Sequence, residues 1–344
     1  MASCISITGE NIDDYIKDHL VLLFSLRKSR IKAKKLAIME AYFALYPVGG
    51  IFIKNGPLGN LKGVFSFLIP EENMAQALSI LPTIGYCNKF YLLDFQTNTP
   101  ENNSDLKNVS ERDLVWKGKA FRISNFYFQD KGIYEKQSVD NRKFIILQNN
   151  KEKVVYGYRG DGSEMGRRAL PVEDARCMVN LSMPGRAERL LDPFAGGGGI
   201  VYSAKYINKK IKVFSVDIDP VVAPGLEFYG SNHFTGDSSR VRFPAAFFDS
   251  LVTEVPFSSN ATVNIIKAIN NLKGSLKKDG RIVLMSSMNQ ATVLKKAIGD
   301  IGFYPYISQK VNRKGTDVAI MGWIKSYDKY KKLQAISSTV KSIS

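Results

Sequence analysis

Cysteine and histidine are scarce in this sequence of 344 residues. There are three cysteines, Cys4, Cys87 and Cys177, and two histidines, His19 and His233. Three widely separated cysteines argue against a disulfide framework or a zinc site and are typical of a reducing cytoplasm. Two histidines argue against multi-histidine metal centres and histidine-based triads. We therefore expect a cytoplasmic protein that holds no metal.

Long hydrophobic stretches are also missing. The longest apolar run, residues 20–26, contains one serine and is flanked by His19 and Arg27. It is far shorter than the roughly 20 residues that a membrane-spanning helix needs. The opening residues MASCISITGENIDD contain no basic segment followed by an apolar core, so they predict no secretory signal. We expect no membrane association.

Acidic residues are outnumbered by basic ones. The chain has 48 Lys and Arg against 32 Asp and Glu, which gives a net charge of +16. Such an excess favours polyanionic partners, chiefly nucleic acid or anionic membrane, although it also serves solubility alone. A hydrophobic content of 44% with 23% charged residues indicates a folded chain. Its length favours two domains.

The second half of the chain alternates β-rich runs with helical patterns, as an α/β sheet does. Predicted strands span residues 189–193, 212–218, 248–255, 281–286, 303–311 and 317–324, and predicted helices span 199–207, 221–229, 261–276 and 291–301. Since only a short polar turn separates the last two strands, we expect an antiparallel hairpin that closes a mostly parallel, Rossmann-like sheet. This domain is placed at residues 165–328, followed by a flexible tail at 329–344.

The first half has a different sequence pattern, which predicts a smaller α+β domain at residues 1–105. Residues 13–45 are expected to form one or two helices. They carry the densest basic segment, from which five residues are candidate contacts to nucleic acid: Arg27, Lys28, Arg30, Lys32 and Lys35. A solvated helix face explains the segment equally well. Residues 106–164 are predicted as a connector whose interleaved aromatic and basic residues suit base stacking or strand packing.

A glycine-rich turn is the strongest motif. Residues 190–200 read LLDPFAGGGGI, an apolar strand that ends in an acid and leads through four glycines into a helix. Glycines let a ligand approach the backbone, and a helix N-terminus offers unpaired N–H groups. The next strand ends at Asp217, where Rossmann-like folds place an acid for ribose hydroxyls. These residues predict a nucleoside cofactor, either S-adenosylmethionine or a dinucleotide such as NAD.

Three consecutive segments resemble class I S-adenosylmethionine-dependent methyltransferases. They are the turn at 192–198, the acid strand that ends at residues 217–219, and the GDSS and FDSLVTEVPF segments at 236–239 and 248–257. The residues of these segments are most similar to those of the tRNA guanine-N2 methyltransferases and the THUMP-type RNA methylases. Residues 168–182 also resemble their helix before the glycine turn. The resemblance covers residues 165–325 and favours S-adenosylmethionine over NAD.

The resemblance implies a role for each matching residue. Asp192 and the glycines would contact the methionine part of the cofactor, and Asp217 would accept from the ribose hydroxyls. Asp237 would accept from the adenine amino group, with Ser238 packed nearby. The cofactor-binding residues implied in this way are Asp192, Phe194, Gly196, Gly197, Gly198, Asp217, Ile218, Asp237 and Ser238.

The catalytic tetrapeptide departs from the family pattern. The family's (Asp/Asn)-Pro-Pro-(Tyr/Phe) reads Glu254-Val255-Pro256-Phe257 here. In the family it orients an exocyclic base amine toward the methyl group, so Glu254, Pro256 and Phe257 are the implied catalytic residues. Glu254 adds a methylene and Val255 removes the rigid proline pair. A simple exposed acid at a strand end would also explain Glu254.

These features together predict an S-adenosylmethionine-dependent methyltransferase that acts on an exocyclic base amine of RNA, with tRNA guanine-N2 favoured. Its partner would be tRNA, and it would act alone, as a homodimer or with a partner subunit. Two alternatives stay open. One is a degenerate protein that binds nucleic acid or a partner without turnover. The other is a DNA base-amine methyltransferase, because a basic surface does not distinguish RNA from DNA.

Overall fold

The structure is a computed structural model that describes residues 5–6, 17–54, 56, 62–95, 113–116, 119–126, 143–148, 151–156, 170–182, 189–313 and 315–341. The chain divides into two compact units. One contains residues 1–132 with 338–344, and the other contains residues 133–337. In the described part of the chain, no helix is both long and apolar enough to cross a bilayer.

The first unit is built on a seven-stranded sheet. Its strands are β1 (Ile5–Ser6), β2 (His19–Leu26), β3 (Ile51–Lys54), β4 (Val64–Pro70), β5 (Cys87–Phe95), β6 (Asp113–Trp116) and β7 (Lys119–Phe126). Helices α1 (Lys34–Leu45) and α2 (Met74–Ile80) accompany it. The strand order is β1-β3-β4-β2-β5-β7-β6, antiparallel except for the β1–β3 pair. Thus β6 and β7, which lie in the predicted connector, extend this sheet.

The prediction of helices over residues 13–45 is wrong for its middle part. Residues 19–26 form β2, which is paired on both sides, with β4 and with β5. Four consecutive side chains of this strand, at residues 21–24, are buried. A strand covered on both faces reads as a continuous apolar run, and such a run cannot be distinguished from a buried helix by periodicity.

The second unit contains a second seven-stranded sheet and a separate hairpin. The hairpin pairs β8 (Lys143–Gln148) with β9 (Lys151–Tyr156). The sheet strands are β10 (Arg189–Asp192), β11 (Lys212–Asp217), β12 (Ser231–Thr235), β13 (Phe248–Glu254), β14 (Leu276–Ser287), β15 (Tyr304–Arg313) and β16 (Thr316–Ile324). The helices are α3 (Val172–Leu181), α4 (Gly199–Ile207), α5 (Ala223–Phe228), α6 (Ala261–Leu272), α7 (Met288–Asp300) and α8 (Tyr327–Lys341).

This sheet confirms the predicted fold class. Its order is β12-β11-β10-β13-β14-β16-β15, with β10 to β14 parallel and β16 antiparallel to both of its neighbours. Apolar side chains from the sheet, α6 and α7 form the core, among them Phe248, Ile265 and Trp323. Because β10 has β11 on one side and β13 on the other, the strand order reverses there. Ligands bind at the carboxyl ends of strands at such a reversal.

Four elements of the second unit were not predicted from the sequence: β8, β9, β12 and α8. The edge strand β12 consists mainly of polar residues and gives no strand pattern. The flexible tail was expected at residues 329–344, and the structure has a helix, α8, over residues 327–341. The reason is a short apolar pair one turn apart, Leu333 and Ile336, whose side chains are buried.

Candidate functional site

The glycine turn leaves open space beside its backbone. It connects the end of β10 to Gly199, the first residue of α4. Gly196 and Gly198 have φ angles of 49° and 88°, in the region that favours glycine. A Cβ atom at Gly196 or Gly197 would meet nothing within 4 Å. The turn therefore offers a ligand both room and the N-terminus of a nine-residue helix.

Asp217 ties this turn to the neighbouring strand. Its Oδ2 accepts a hydrogen bond from the Gly196 backbone N–H at 2.7 Å, and its Oδ1 accepts one from Asp219 at 2.9 Å. Each carboxylate oxygen has two lone pairs and can accept a further donor such as a hydroxyl. The adjacent Ile218 side chain is 74% exposed. An apolar surface next to an acceptor suits a nucleoside, whose ribose is polar and whose base is flat.

The turn after β12 is hydrogen-bonded to both of these segments, the glycine turn and the end of β11. The Gly236 backbone N–H donates to the carbonyl oxygen of Asp217 at 2.8 Å. The buried Ser238 donates its hydroxyl to the Pro193 carbonyl oxygen, within the glycine turn. Asp237 is exposed, and a hydrogen bond from the Ser239 backbone lowers the pKa of its carboxyl. The predicted residues on three separate segments thus meet at one edge of the sheet.

Asp192 lies buried beneath the glycine turn. The Thr253 hydroxyl donates to its Oδ1 at 2.7 Å, and the Phe194 backbone N–H lies 3.4 Å from the same atom. Burial raises the pKa of Asp192 to about 7, while the Thr253 hydrogen bond opposes that rise. The nearby acids Asp217 and Glu254 raise it further. A cation bound beside Asp192 would therefore favour its ionised form at neutral pH.

The backbone of the tetrapeptide is held by a buried amide. Val255 is buried, and its N–H donates to the Met285 carbonyl oxygen at 3.0 Å. The Gln290 side chain donates to the carbonyl oxygens of Pro256 and Ser258, at 2.8 and 3.1 Å. The oxygen of the same side chain accepts from both the backbone and the hydroxyl of Ser287, which fixes it at the start of α7. This amide therefore restrains the backbone of residues 256–258.

The residues at the two ends of the tetrapeptide lie in different environments. Pro256 is exposed and Phe257 is half-buried. Glu254 forms an ion pair with Arg313, so it is not a freely exposed acid at a strand end. Burial raises the pKa of Glu254, whereas Arg313 lowers it. Arg313 and Gln290 lie outside every motif, and Thr253 lies within the FDSLVTEVPF segment but was assigned no role from the sequence.

The predicted nucleic-acid residues lie in the other unit, and two of them are buried. The Arg27 Nε donates to the Gly85 carbonyl oxygen at 2.7 Å, and the Arg30 guanidinium lies 5.3 Å from the centroid of the Tyr86 ring. The prediction that they follow a phosphate backbone is wrong for these two, because their charges lie inside the unit. Three candidates on the same segment are exposed or half-buried and stay a prediction: Lys28, Lys32 and Lys35.

Comparison with known proteins gives two curated relatives and a set of structures. No family model matches the chain. A probable tRNA (guanine(10)-N2)-dimethyltransferase of Methanothermococcus thermolithotrophicus is 34% identical over 127 residues, which cover 33% of this chain and 78% of the relative. A tRNA (guanine(10)-N2)-dimethyltransferase of Methanothermobacter thermautotrophicus is 36% identical over 95 residues, 26% of this chain. The chain spans only 27% of that second relative.

Among solved structures, TrmN from Thermus thermophilus is 14% identical, with a TM-score of 0.48 over 89% of this chain and 99% of that one. A methyltransferase from Aquifex aeolicus, described as S-adenosylmethionine-dependent, has a TM-score of 0.37 over 44% of this chain and 89% of that one, at 13% identity.

A methyl group added to the glycine turn tests whether this space holds the cofactor. We expect Gly197→Ala to fold with a stability within about 0.5 kcal/mol of the parent, because the new Cβ meets no protein atom. Its affinity for S-adenosylhomocysteine should fall by about tenfold or more, since the methyl group fills space left for the ligand. Calorimetric titration measures this. Gly274→Ala, where a Cβ also meets nothing, is the matched control. Equal affinity in both variants would contradict the assignment.

The pH dependence of cofactor binding tests the placement of Asp192. The pKa of this carboxyl is about 7, so it is mainly protonated at pH 6 and mainly ionised at pH 8. If the cofactor's ammonium group faces it, affinity should rise by up to about tenfold per pH unit below pH 7 and level off above it. Asp192→Asn should bind weakly with a flat profile. A parent profile that is also flat between pH 6 and 8 would remove Asp192 from the binding site.

Proposed function

The chain belongs to the family of S-adenosylmethionine-dependent methyltransferases that contains the tRNA (guanine(10)-N2)-dimethyltransferases, and we propose that it methylates the exocyclic N2 amine of a guanine in tRNA. The observation that carries this proposal is the meeting of two groups of residues at one sheet edge. The glycine turn, Asp217 and Asp237 offer a nucleoside site. Glu254 is the last residue of β13, the strand that pairs with β10, and Phe257 follows that strand.

The chemical groups in the cofactor half of the site fit S-adenosylmethionine. The open backbone of the glycine turn accepts an amino-acid tail, and the buried Asp192 is matched to a positive charge. Asp217 accepts from ribose hydroxyls beside Ile218, and Asp237 accepts from the adenine amino group. When bound, the cofactor would supply an electrophilic methyl group, which the amine nitrogen would accept with loss of one proton.

The tetrapeptide orients the amine. We assign the Glu254 carboxylate and the Val255 carbonyl oxygen as acceptors for its two hydrogens, which turns the nitrogen lone pair toward the methyl group. Phe257 stacks on the base, which must leave its own stack to enter the site. The hydrogen bonds from Gln290 keep this backbone in one conformation. Such orientation supplies most of the rate enhancement, because misplacement by about 1 Å costs on the order of a hundredfold.

The charge of the chain supports an RNA partner. A net charge of +16 attracts a polyanion and makes its affinity depend on salt. We propose that Lys28, Lys32 and Lys35 contribute contacts to phosphates and that the protein acts in the cytoplasm, either alone or with a partner subunit. The predicted domain bounds belong to the same proposal, with residues 1–105 assisting substrate binding and residues 165–328 carrying the reaction.

The proposed substrate is tested most directly by removing the N2 amine from the tRNA. We expect the protein to transfer tritiated methyl groups to a tRNA transcript and to form N2-methylguanosine, detected by nucleoside mass spectrometry. Transcripts with inosine in place of guanosine lack the N2 amine and should accept none. Phe257→Ala should lower kcat by about tenfold or more, because stacking on a base is worth roughly 1–3 kcal/mol, and should leave cofactor affinity unchanged. Tyr327→Ala removes an exposed aromatic ring elsewhere in the unit as the control.

Each other outcome identifies an alternative. Transfer to duplex or single-stranded DNA but not to tRNA would establish the DNA methyltransferase. Cofactor binding without transfer to either nucleic acid would favour the degenerate binding protein. The specific observation in favour of that alternative is Val255, which stands where the family has a proline. Equal transfer to inosine transcripts would show that the target is a different atom.

A further inference from the structure

Arg313 joins three elements that are separate in the second unit. It is the last residue of β15, and both β16 and β14 lie between that strand and β13. Its Nη1 donates to Glu254 Oε1 at the end of β13 and lies 3.1 Å from the Met285 sulfur on β14. Its Nε lies 3.6 Å from Asp174 Oδ2 on α3. One guanidinium therefore bridges two carboxylates along the carboxyl edge of the sheet.

We infer that Arg313 is a positioning residue for methyl transfer, which fixes the carboxylate of Glu254 through a guanidinium anchored on the buried Asp174. The inference rests on the proposed function, and it names how this chain uses a glutamate where the family has a shorter side chain. Arg313 belongs to none of the motifs that mark the family. It reaches the site from a hairpin about 60 residues downstream of Glu254.

The bridge compensates for the length of Glu254. A glutamate has one more rotatable bond than an aspartate, so its carboxylate samples more positions unless a partner holds it. The guanidinium presents donors in a rigid fork, and here two of its nitrogens face two different acids. Asp174 is fully buried and Arg313 is 11% exposed, which restricts the fork itself. Because the ion pair uses Oε1, Oε2 keeps its lone pairs for the amine of a substrate.

Charge gives Arg313 a second effect on Glu254. Two other acids face this carboxyl, Asp174 from α3 and Asp192 from β10. Burial and Asp174 both raise the pKa of Glu254, while Arg313 lowers it through its charge and its hydrogen bond. Without the guanidinium, the pKa of Glu254 would rise toward neutral pH. A protonated Glu254 loses acceptor capacity toward the amine, so transfer should then require a higher pH.

A purely structural ion pair would behave differently. Removal of one partner of a buried ion pair commonly lowers stability strongly, whatever the pair does for function. Loss of stability alone therefore does not distinguish the two roles. The ionisation of Glu254 and the pH profile of transfer do, because a structural role predicts no change in either once the variant is folded.

The experiment measures that ionisation directly. Protein labelled with ¹³C at the glutamate side-chain carboxyl is titrated by NMR, and the Glu254 signal is assigned by its absence in Glu254→Gln. In folded Arg313→Gln we expect the midpoint of Glu254 to rise by about one pH unit or more. At pH 7, kcat should fall by about tenfold or more and recover partly at higher pH. The affinity for S-adenosylhomocysteine should stay within about twofold of the parent.

Two further variants guard against misfolding and indirect effects. Arg313→Lys keeps the charge without the fork, so the midpoint should stay close to the parent value while kcat falls. Lys310→Gln removes another charge from β15, one that pairs with Asp317 at the surface, and should change neither quantity. In a Glu254→Gln background, Arg313→Gln should have little further effect on kcat, because the two residues act as one unit.

The outcomes separate this inference from the proposed function. If the parent transfers no methyl group to any nucleic acid, the proposed function fails, and the positioning role fails with it whatever the titration shows. If the parent is active while Arg313→Gln and Arg313→Lys keep its kcat and its Glu254 midpoint, only the inference is overturned. A shifted midpoint with a tenfold loss of kcat at pH 7 supports it.

Discussion

The hydrogen bond from the Gly196 backbone N–H to the Asp217 carboxylate is the contact on which the site depends. It joins the glycine turn after β10 to the end of β11, where the order of the strands reverses. The Gly236 and Ser238 hydrogen bonds then attach the turn after β12 to the same two segments. Because these contacts are short and mostly involve backbone atoms, the loops are held at the carboxyl edge by the sheet itself. A nucleoside site follows from this arrangement.

The two halves of the site are built by different means. The cofactor half follows the family motif, and its residues come from contiguous segments at the ends of β10, β11 and β12. The half that we propose to face the base keeps Pro256 and Phe257 of the family's tetrapeptide but has Glu254 and Val255 at the other two positions. Restraint there is supplied by side chains from other elements, with Gln290 holding the backbone and Arg313 holding Glu254. We propose that the orientation of the base amine, which a proline and a short acid supply in the family, is distributed here over more distant residues.

The sequence was informative where chemistry is encoded in consecutive residues. The glycine turn and Asp217 were predictable because each stands at the end of a strand with a clear apolar pattern. Asp237 follows the polar strand β12 and was identified only by resemblance to the family. Gln290 and Arg313 were not, because the folded chain brings them to the site and no spacing marks them. The charges of Arg27 and Arg30 were visible, but a charge run does not reveal which side chains lie inside. The strand β2 was mistaken for a helix, since a run buried on both faces has no period.

Binding of S-adenosylhomocysteine to the full chain, with and without the Asp217 carboxylate, tests the central claim most directly. Calorimetry should show a single site in the parent. In Asp217→Ala the affinity should fall by about tenfold or more, because the ribose loses its acceptor and the glycine turn loses its anchor. Circular dichroism establishes that the variant is folded. A parent protein that binds no S-adenosylhomocysteine, or a folded variant that binds it as tightly as the parent, would contradict the account.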